Sequence, residues 1–357
     1  MKIGILGAGA GGLALAADAA SRGFGVLVAD LPEFSGNTTA VKQRGGVVVR
    51  ESNEETLIPV GVSESIPEVL RFSEVTFVVC PAFGTRSFAA ACKPHAKAGH
   101  AFIVCPGSGG GALEFKNELG LAPDDASAIV ADTHTLPYAA RVTAPGIVRM
   151  IHRVRRLVWA SLPSSGAAAV GKIMDLLWPG VAERARNVLE VALMDTNPVI
   201  HPAIMLLNTG LIERTKGDFY FYPDGITQSV SRVIEAVDRE RIAIGEALGF
   251  ALPTEPETSV SEGYMSPETA TYFEGYVTSP IYGAAKAPET MEDRYITEDV
   301  SYVLVFWADL AKNLGVATPA IDAVIALTSA ILGADQNARA LRTMKRLGLT
   351  PQNVRTL

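Results

Sequence analysis

Lys2-Ile-Gly-Ile-Leu-Gly7-Ala-Gly9-Ala-Gly11-Gly12 is a short apolar run that ends in a glycine turn and continues into an alanine-rich segment through Ala20. The run predicts a β-strand and the alanines predict a helix. Between them Gly7, Gly9 and Gly12 form a G-x-G-x-x-G pattern in the strand-to-helix context it requires. Gly7 permits the tight turn, Gly9 lets the backbone approach a pyrophosphate, and Gly12 allows close helix–strand packing, while the helix N-terminus offers unpaired N–H groups and a partial positive charge to phosphate. A dinucleotide is the expected ligand. Asp30 ends the next strand-like run, 18 positions after Gly12. A carboxylate there accepts hydrogen bonds from the adenosine ribose hydroxyls and repels a 2′-phosphate, so NAD is expected ahead of NADP. Asp30 does not separate NAD from FAD, which uses the same fingerprint.

Working outward, short β-branched runs alternate with helical patterns: Lys2 to Leu6, Gly25 to Asp30, Val47 to Arg50, Val75 to Cys80, Ala101 to Cys105 and Ala128 to Asp132. That rhythm predicts parallel strands joined by crossover helices. Ile147 to Ile151 and Arg156 to Ala160 have no long helix between them and suggest an antiparallel hairpin closing the sheet. From about Ala167 the pattern turns helical. Val230, Val233, Ile234, Val237, Ile244 and Leu248 share one face at helical spacing, and Pro319 to Leu332 is a further apolar helix. The expected architecture is an α/β Rossmann domain, doubly wound on a mostly parallel sheet, over residues 1–165, followed by an all-α domain over residues 166–357.

The chain has 357 residues, 48% of them hydrophobic and 19% charged, which suits a folded protein of two domains. Its 31 basic and 38 acidic residues leave a formal charge of -7, with no general attraction for nucleic acid. Cys80, Cys92 and Cys105 show neither CxxC spacing nor a zinc pattern, so reduced, buried thiols and no metal site are expected. Met1 to Leu6 is too short for a signal-peptide core, and no window approaches the roughly 18 uninterrupted apolar residues of a membrane span, so a cytoplasmic location is expected. The apolar helices towards the C-terminus suit a homodimer seam or the core equally well.

Two further clusters bear on chemistry. Gly107 to Gly111 follow a strand and precede a helix, at the sheet edge that faces ligands; their amides suit the nicotinamide end or an anionic substrate group, or form only a flexible turn. In Asn197-Pro-Val-Ile-His201-Pro202 the proline is expected to break or kink the helix at His201, where an imidazole suits proton transfer, although taken alone it reads first as a core histidine satisfied by a backbone carbonyl. Thr297 reads as the N-cap of a helix over Ser301 to Leu314, with Glu298 and Asp299 in its first turn. Hydride chemistry on a C=O or C=N bond needs a proton relay and an orienting carboxylate, which pairs His201 with Asp299.

Taken together, GAGAGG at Gly7 to Gly12, PGSGGGALEF at Pro106 to Phe115, NPVIHP at Asn197 to Pro202, YPDGIT at Tyr222 to Thr227 and RYITED at Arg294 to Asp299 resemble the opine dehydrogenases, the octopine and N-(carboxyethyl)norvaline dehydrogenase group. The resemblance spans nearly the whole chain. It implies NADH-dependent reductive condensation of a 2-oxo acid, pyruvate-like, with the amino group of an amino acid through an imine, at a cleft lined by Asp132 to Arg141. It assigns catalysis to His201 and Asp299, substrate binding to Arg294, Thr135 and Asn208, and coenzyme binding to Pro81 and Gly107 beside Gly7, Gly9, Gly12 and Asp30. An NAD(P)-dependent ketone reductase of the ketopantoate or glycerol phosphate type, and a non-catalytic NAD-responsive binding protein, are the alternatives.

Overall fold

In the computed structural model, which describes residues 1–52, 54–355 and 357, the chain divides into two compact units: residues 1–107 with 111–191 and 357, and residues 108–110 with 192–355. The first unit runs β1 (Lys2–Leu6), α1 (Ala10–Ser21), β2 (Gly25–Ala29), α2 (Gly36–Arg44), β3 (Gly46–Glu51), β4 (Glu54–Pro59), β5 (Gly61–Val62), α3 (Ile66–Phe72), β6 (Val75–Val78), α4 (Ala82–Cys92), β7 (His100–Val104), α5 (Gly111–Glu118) and β8 (Ala128–Thr133). It continues through β9 (Tyr138–Ala144), β10 (Ile147–Arg153), β11 (Leu157–Leu162), α6 (Ala167–Leu177) and β12 (Ala182–Arg184), and α7 (Val188–Met194) leads out of it.

The main sheet has the order β12-β11-β8-β7-β6-β1-β2-β5, parallel throughout except where β11 meets β8. From β5 to β8 this is the doubly wound arrangement, whose order reverses between β1 and β6. Ligands bind at that reversal, outside the carboxyl ends of the strands, and the Gly7 turn, Asp30, Pro81 and Gly107 all follow strand carboxyl ends there.

The expected hairpin does not form. β10 pairs with β3 and β9 in a second sheet of order β4-β3-β10-β9, which also takes the Val47 to Arg50 run, whereas β11 pairs with β8 and β12 in the main sheet. Burial explains the separation. Every residue of β11 is buried, as a strand covered on both faces requires, while β10 alternates, with Val148 and Met150 buried and Arg149 and Ile151 exposed. Residues 166–191, which the sequence reading places in the second domain, group with the first because α6 returns the chain to the sheet edge as β12.

The second unit is helical: α8 (Asn197–Leu207), α9 (Thr209–Thr215), α10 (Gln228–Ala247), α11 (Glu255–Glu262), α12 (Glu274–Thr278), α13 (Arg294–Thr297), a π-helical stretch Asp299–Leu304, α14 (Val305–Leu314), α15 (Pro319–Ile331) and α16 (Gln336–Arg339). On α10 the apolar stripe is interrupted by a fully buried ion pair, Arg241 Nε to Asp238 Oδ1 at 2.6 Å. Arg241 also donates to the Leu193 and Pro253 carbonyls, and Asp238 accepts from the Glu255 amide and the Tyr272 hydroxyl, so the desolvated charges are hydrogen-bonded on both sides. Among the described residues no helix is long and apolar enough to cross a membrane.

Glu255, inside the Thr254–Glu257 capping box, is fully buried and accepts a hydrogen bond from Ser259 Oγ at 2.5 Å. Burial raises its carboxyl from 4.5 to about 7. With the folded value above the unfolded one, the group's contribution to stability is complete below about pH 4.5 and is lost as pH rises through 7. Glu255→Gln is therefore expected to stabilise the protein by roughly 3 kcal/mol at pH 8 relative to its effect at pH 4.5. Denaturant unfolding at the two pH values measures this, and a pH-independent difference would contradict it.

Candidate active site

The coenzyme cradle is built by backbone. Gly7 has φ +101°, and a Cβ there would lie 2.1 Å from the Val79 carbonyl oxygen; a Cβ on Gly12 would lie 1.8 Å from the Gly7 carbonyl oxygen. Both positions admit only glycine. Gly9 is different: nothing lies within 4 Å of a Cβ built there, so its surface is open to an approaching group. It is also the N-cap of α1 and brings no side chain to cap the first amides, which leaves donors for a diphosphate. Asp30 Oδ2 accepts from the Ala8 amide at 2.7 Å and Oδ1 from Leu31 at 2.8 Å, and Asn37 Nδ2 donates to the Ala8 carbonyl at 2.9 Å. Asp30 thus fixes the turn. This set fits NAD.

The second glycine loop is a contrast. The Gly107 amide donates to the Thr133 carbonyl, that of Gly111 to Gly107, and that of Ala112 to Asp132 Oδ2 at 3.1 Å, so a carboxylate of the chain itself caps α5. A Cβ on Gly107 would lie 2.5 Å from Asp132 Oδ2, which accounts for the glycine by packing. Of the segment expected to line the substrate site, Tyr138 is buried, donating to Asp18 Oδ2 and accepting from Trp178 Nε1, while Arg141 is exposed. The Thr135 carbonyl accepts from Thr133 Oγ1, and Pro81 is the N-cap residue of α4. The Cys92 and Cys105 thiols are both pushed up to about 12 by burial, so neither is a nucleophile.

In the helical unit, His201 Nδ1 lies 2.8 Å from Asp299 Oδ2, across 98 residues of chain, with both side chains buried. The proline does not break the helix at His201: α8 is continuous through Pro202, which sits early enough that only the bond to Pro198 is lost. The expected cap is also displaced. Asp293, not Thr297, caps the helical segment, accepting from the Tyr295 amide at 3.0 Å, and Asp299 opens the π-helical stretch that continues into α14. Wide turns of this kind are frequent at functional sites. Burial first, and Glu298 second, hold the Asp299 carboxyl well above the usual carboxylate range, with Arg294 opposing them. The imidazole–carboxylate pair is accordingly a place where a proton is readily kept.

Three aromatic and cationic groups complete the surroundings. The Tyr295 ring stacks on the imidazole at 3.9 Å between centroids, and the Tyr222 hydroxyl lies 3.1 Å from His201 Nε2. Arg294, one turn before Asp299, is 53% exposed and lies 3.7 Å from Glu298 Oε2. The sequence reading names the motifs that contain Tyr222 and Tyr295 without giving either residue a task; no spacing rule marks them. Asn208 Nδ2 is taken by the Ile204 and Gly225 carbonyls, so its amide holds the loop that carries Tyr222.

Residues 184–332 match the family model of the NAD/NADP octopine/nopaline dehydrogenase alpha-helical domain. An opine dehydrogenase from Arthrobacter sp. (strain 1C) is 33% identical over 350 residues, 97% of this chain and 94% of that one. The chain belongs to the opine dehydrogenase family. As an opine dehydrogenase it is an NAD-dependent oxidoreductase. Its fold is that of octopine dehydrogenase solved with NADH and agmatine (TM-score 0.80, 21% identity, 100% of this chain and 98% of that one) and with NADH and pyruvate (TM-score 0.76, 21% identity, the same coverage).

Proposed function

We propose that His201, Asp299 and Arg294 of this opine dehydrogenase carry the reductive condensation of a small 2-oxo acid with the amino group of an amino acid, giving a secondary amine dicarboxylate. The observation that carries the reading is the 2.8 Å contact of His201 with Asp299. Octopine dehydrogenase, which shares the fold, has been solved with NADH and pyruvate, and this supports a pyruvate-like oxo acid here.

An ammonium cannot attack a keto carbon until it loses a proton. His201 accepts that proton, and Asp299, taking a hydrogen bond from Nδ1, holds the tautomer whose Nε2 is basic and balances the imidazolium that results. The same proton returns to the carbinolamine hydroxyl, which leaves as water and yields the iminium. Arg294, with its planar fork and open surface, holds a substrate carboxylate by paired N–H donors. Gly7, Gly9, Gly12 and Asp30 hold the coenzyme, with Pro81 and Gly107 at its border, and Thr135 faces substrate. Bound NADH supplies the hydride.

NADH oxidation measured over a matrix of 2-oxo acids against the amino acids, taurine and polyamines tests the reaction. Oxidation is expected only where both partners are present. Amine-independent oxidation would mean a ketone reductase, and tight NADH binding without turnover across the matrix would mean a binding protein.

A further inference from the structure

Both ring nitrogens of His201 are engaged, Nδ1 by Asp299 and Nε2 by the Tyr222 hydroxyl, and Tyr295 covers one face of the ring. A molecule that is to exchange a proton with Nε2 must therefore displace Tyr222 or work through it. The packing decides between these. The Tyr222 ring lies parallel to Tyr276 at 5.7 Å and 3°, meets Tyr282 at 4.6 Å and has Phe221 edge-on at 5.0 Å. Those neighbours are tied down in turn. The Tyr282 hydroxyl lies 3.3 Å from Ser259 Oγ, Ser259 donates to Glu255, and the buried Tyr276 hydroxyl adjoins the Glu255 carboxyl. Swinging the Tyr222 ring away would open a gap among three aromatic side chains, which close packing opposes.

We propose that Tyr222 is a third catalytic residue of this opine dehydrogenase, its hydroxyl passing the proton between His201 Nε2 and the reacting oxygen or nitrogen of the substrate. The proposal rests on His201 being the base. A tyrosine hydroxyl is donor and acceptor at once. With Nε2 bare, Tyr222 donates its proton to the imidazole as it takes one from the substrate ammonium. With Nε2 protonated, it accepts from the ring as it gives its own to the departing hydroxyl. Each exchange breaks one O–H bond and forms another, so the phenol is never left ionised and no further acid or base is required. Asp299, Glu298, Asp293 and Arg294 on one side and Glu255 beyond the tyrosines on the other are charged groups around this path.

Tyr222→Phe keeps the ring and removes only the relay. Its kcat is expected to fall by about 10²-fold or more, with each KM within about threefold and NADH binding by fluorescence unchanged. Because the hydroxyl acts through the imidazole, the double variant Tyr222→Phe with His201→Ala is expected to be no slower than His201→Ala alone. A Tyr222→Phe enzyme that retains kcat within about threefold, or losses that multiply in the double variant, would overturn the proposal. If His201→Ala alone stays active, the reading of His201 fails instead. Should the phenylalanine variant not fold, 3-fluorotyrosine at position 222 keeps ring and hydroxyl with a more acidic phenol; a relay then moves the alkaline limb of the kcat profile to lower pH, and an unmoved limb overturns it.

Discussion

Replacement of His201 by alanine is expected to lower kcat by about 10²- to 10⁴-fold, the range over which a positioned general acid–base acts, while NADH affinity stays as it was. The separation of the two effects follows from where the groups lie. His201 is in the helical unit, whereas Gly7, Gly9, Gly12 and Asp30 belong to the other, so the coenzyme cradle does not depend on the imidazole. The deletion leaves the Asp299 carboxyl without its Nδ1 partner in a buried site, which favours its protonated form further and removes the charge that balances an imidazolium. Added imidazole is expected to restore part of the rate, since the vacated volume and the Asp299 acceptor remain. Steady-state kinetics with both substrates, alongside NADH titration, measures this; kcat within about tenfold of the parent would mean that the proton is handled elsewhere.

How far such a site is legible before the structure depends on which physical signal carries it. The main sheet is legible because its strands are buried on both faces and read as unbroken apolar runs, as in Ile3 to Leu6 and Ala101 to Val104. The second sheet is not. Its edge strand β4 is Glu-Glu-Thr-Leu-Ile-Pro, with hardly any buried side chain, and nothing in that run distinguishes a strand from a loop. Local rules also misplace the helix start at Thr297, because Asp293 satisfies the same capping chemistry four residues earlier, and a π-helical turn has no residue signature that would announce it. His201 illustrates the difficulty most directly. Taken alone it has the surroundings of a core histidine, and it is the need of hydride chemistry for an orienting carboxylate, together with the joint order of five motifs, that ties it to a carboxylate 98 positions away. Tyr222 and Tyr295 lie in two of those motifs, yet their contacts with the imidazole are tertiary and follow no period along the chain.

Asp299→Asn separates charge from shape at the same site, and its two readouts are expected to move apart. A carboxylate can only accept, so it selects the tautomer with the proton on Nδ1 and leaves Nε2 basic; an amide offers either an oxygen or an N–H to the ring, and no longer balances an imidazolium. Loss of about 10²- to 10⁴-fold in kcat is expected, as in triads where an orienting carboxylate becomes an amide. Stability is expected to respond with the opposite sign. Burial and Glu298 raise the Asp299 carboxyl, so holding it ionised at neutral pH opposes folding, whereas the amide has the same shape and no charge to desolvate. In sign terms, the folded value lies above the unfolded one, so the group's stabilising contribution is complete at low pH and is lost as pH rises through the folded value; the asparagine variant gains most above that range. The expected result is therefore a slow enzyme that melts at or above the parent temperature at pH 8 and loses that margin towards pH 4. A variant that is slow and also melts well below the parent would mean that Asp299 holds the fold together and that its effect on rate is indirect, whereas one that keeps kcat within about tenfold would remove the carboxylate from the chemistry altogether.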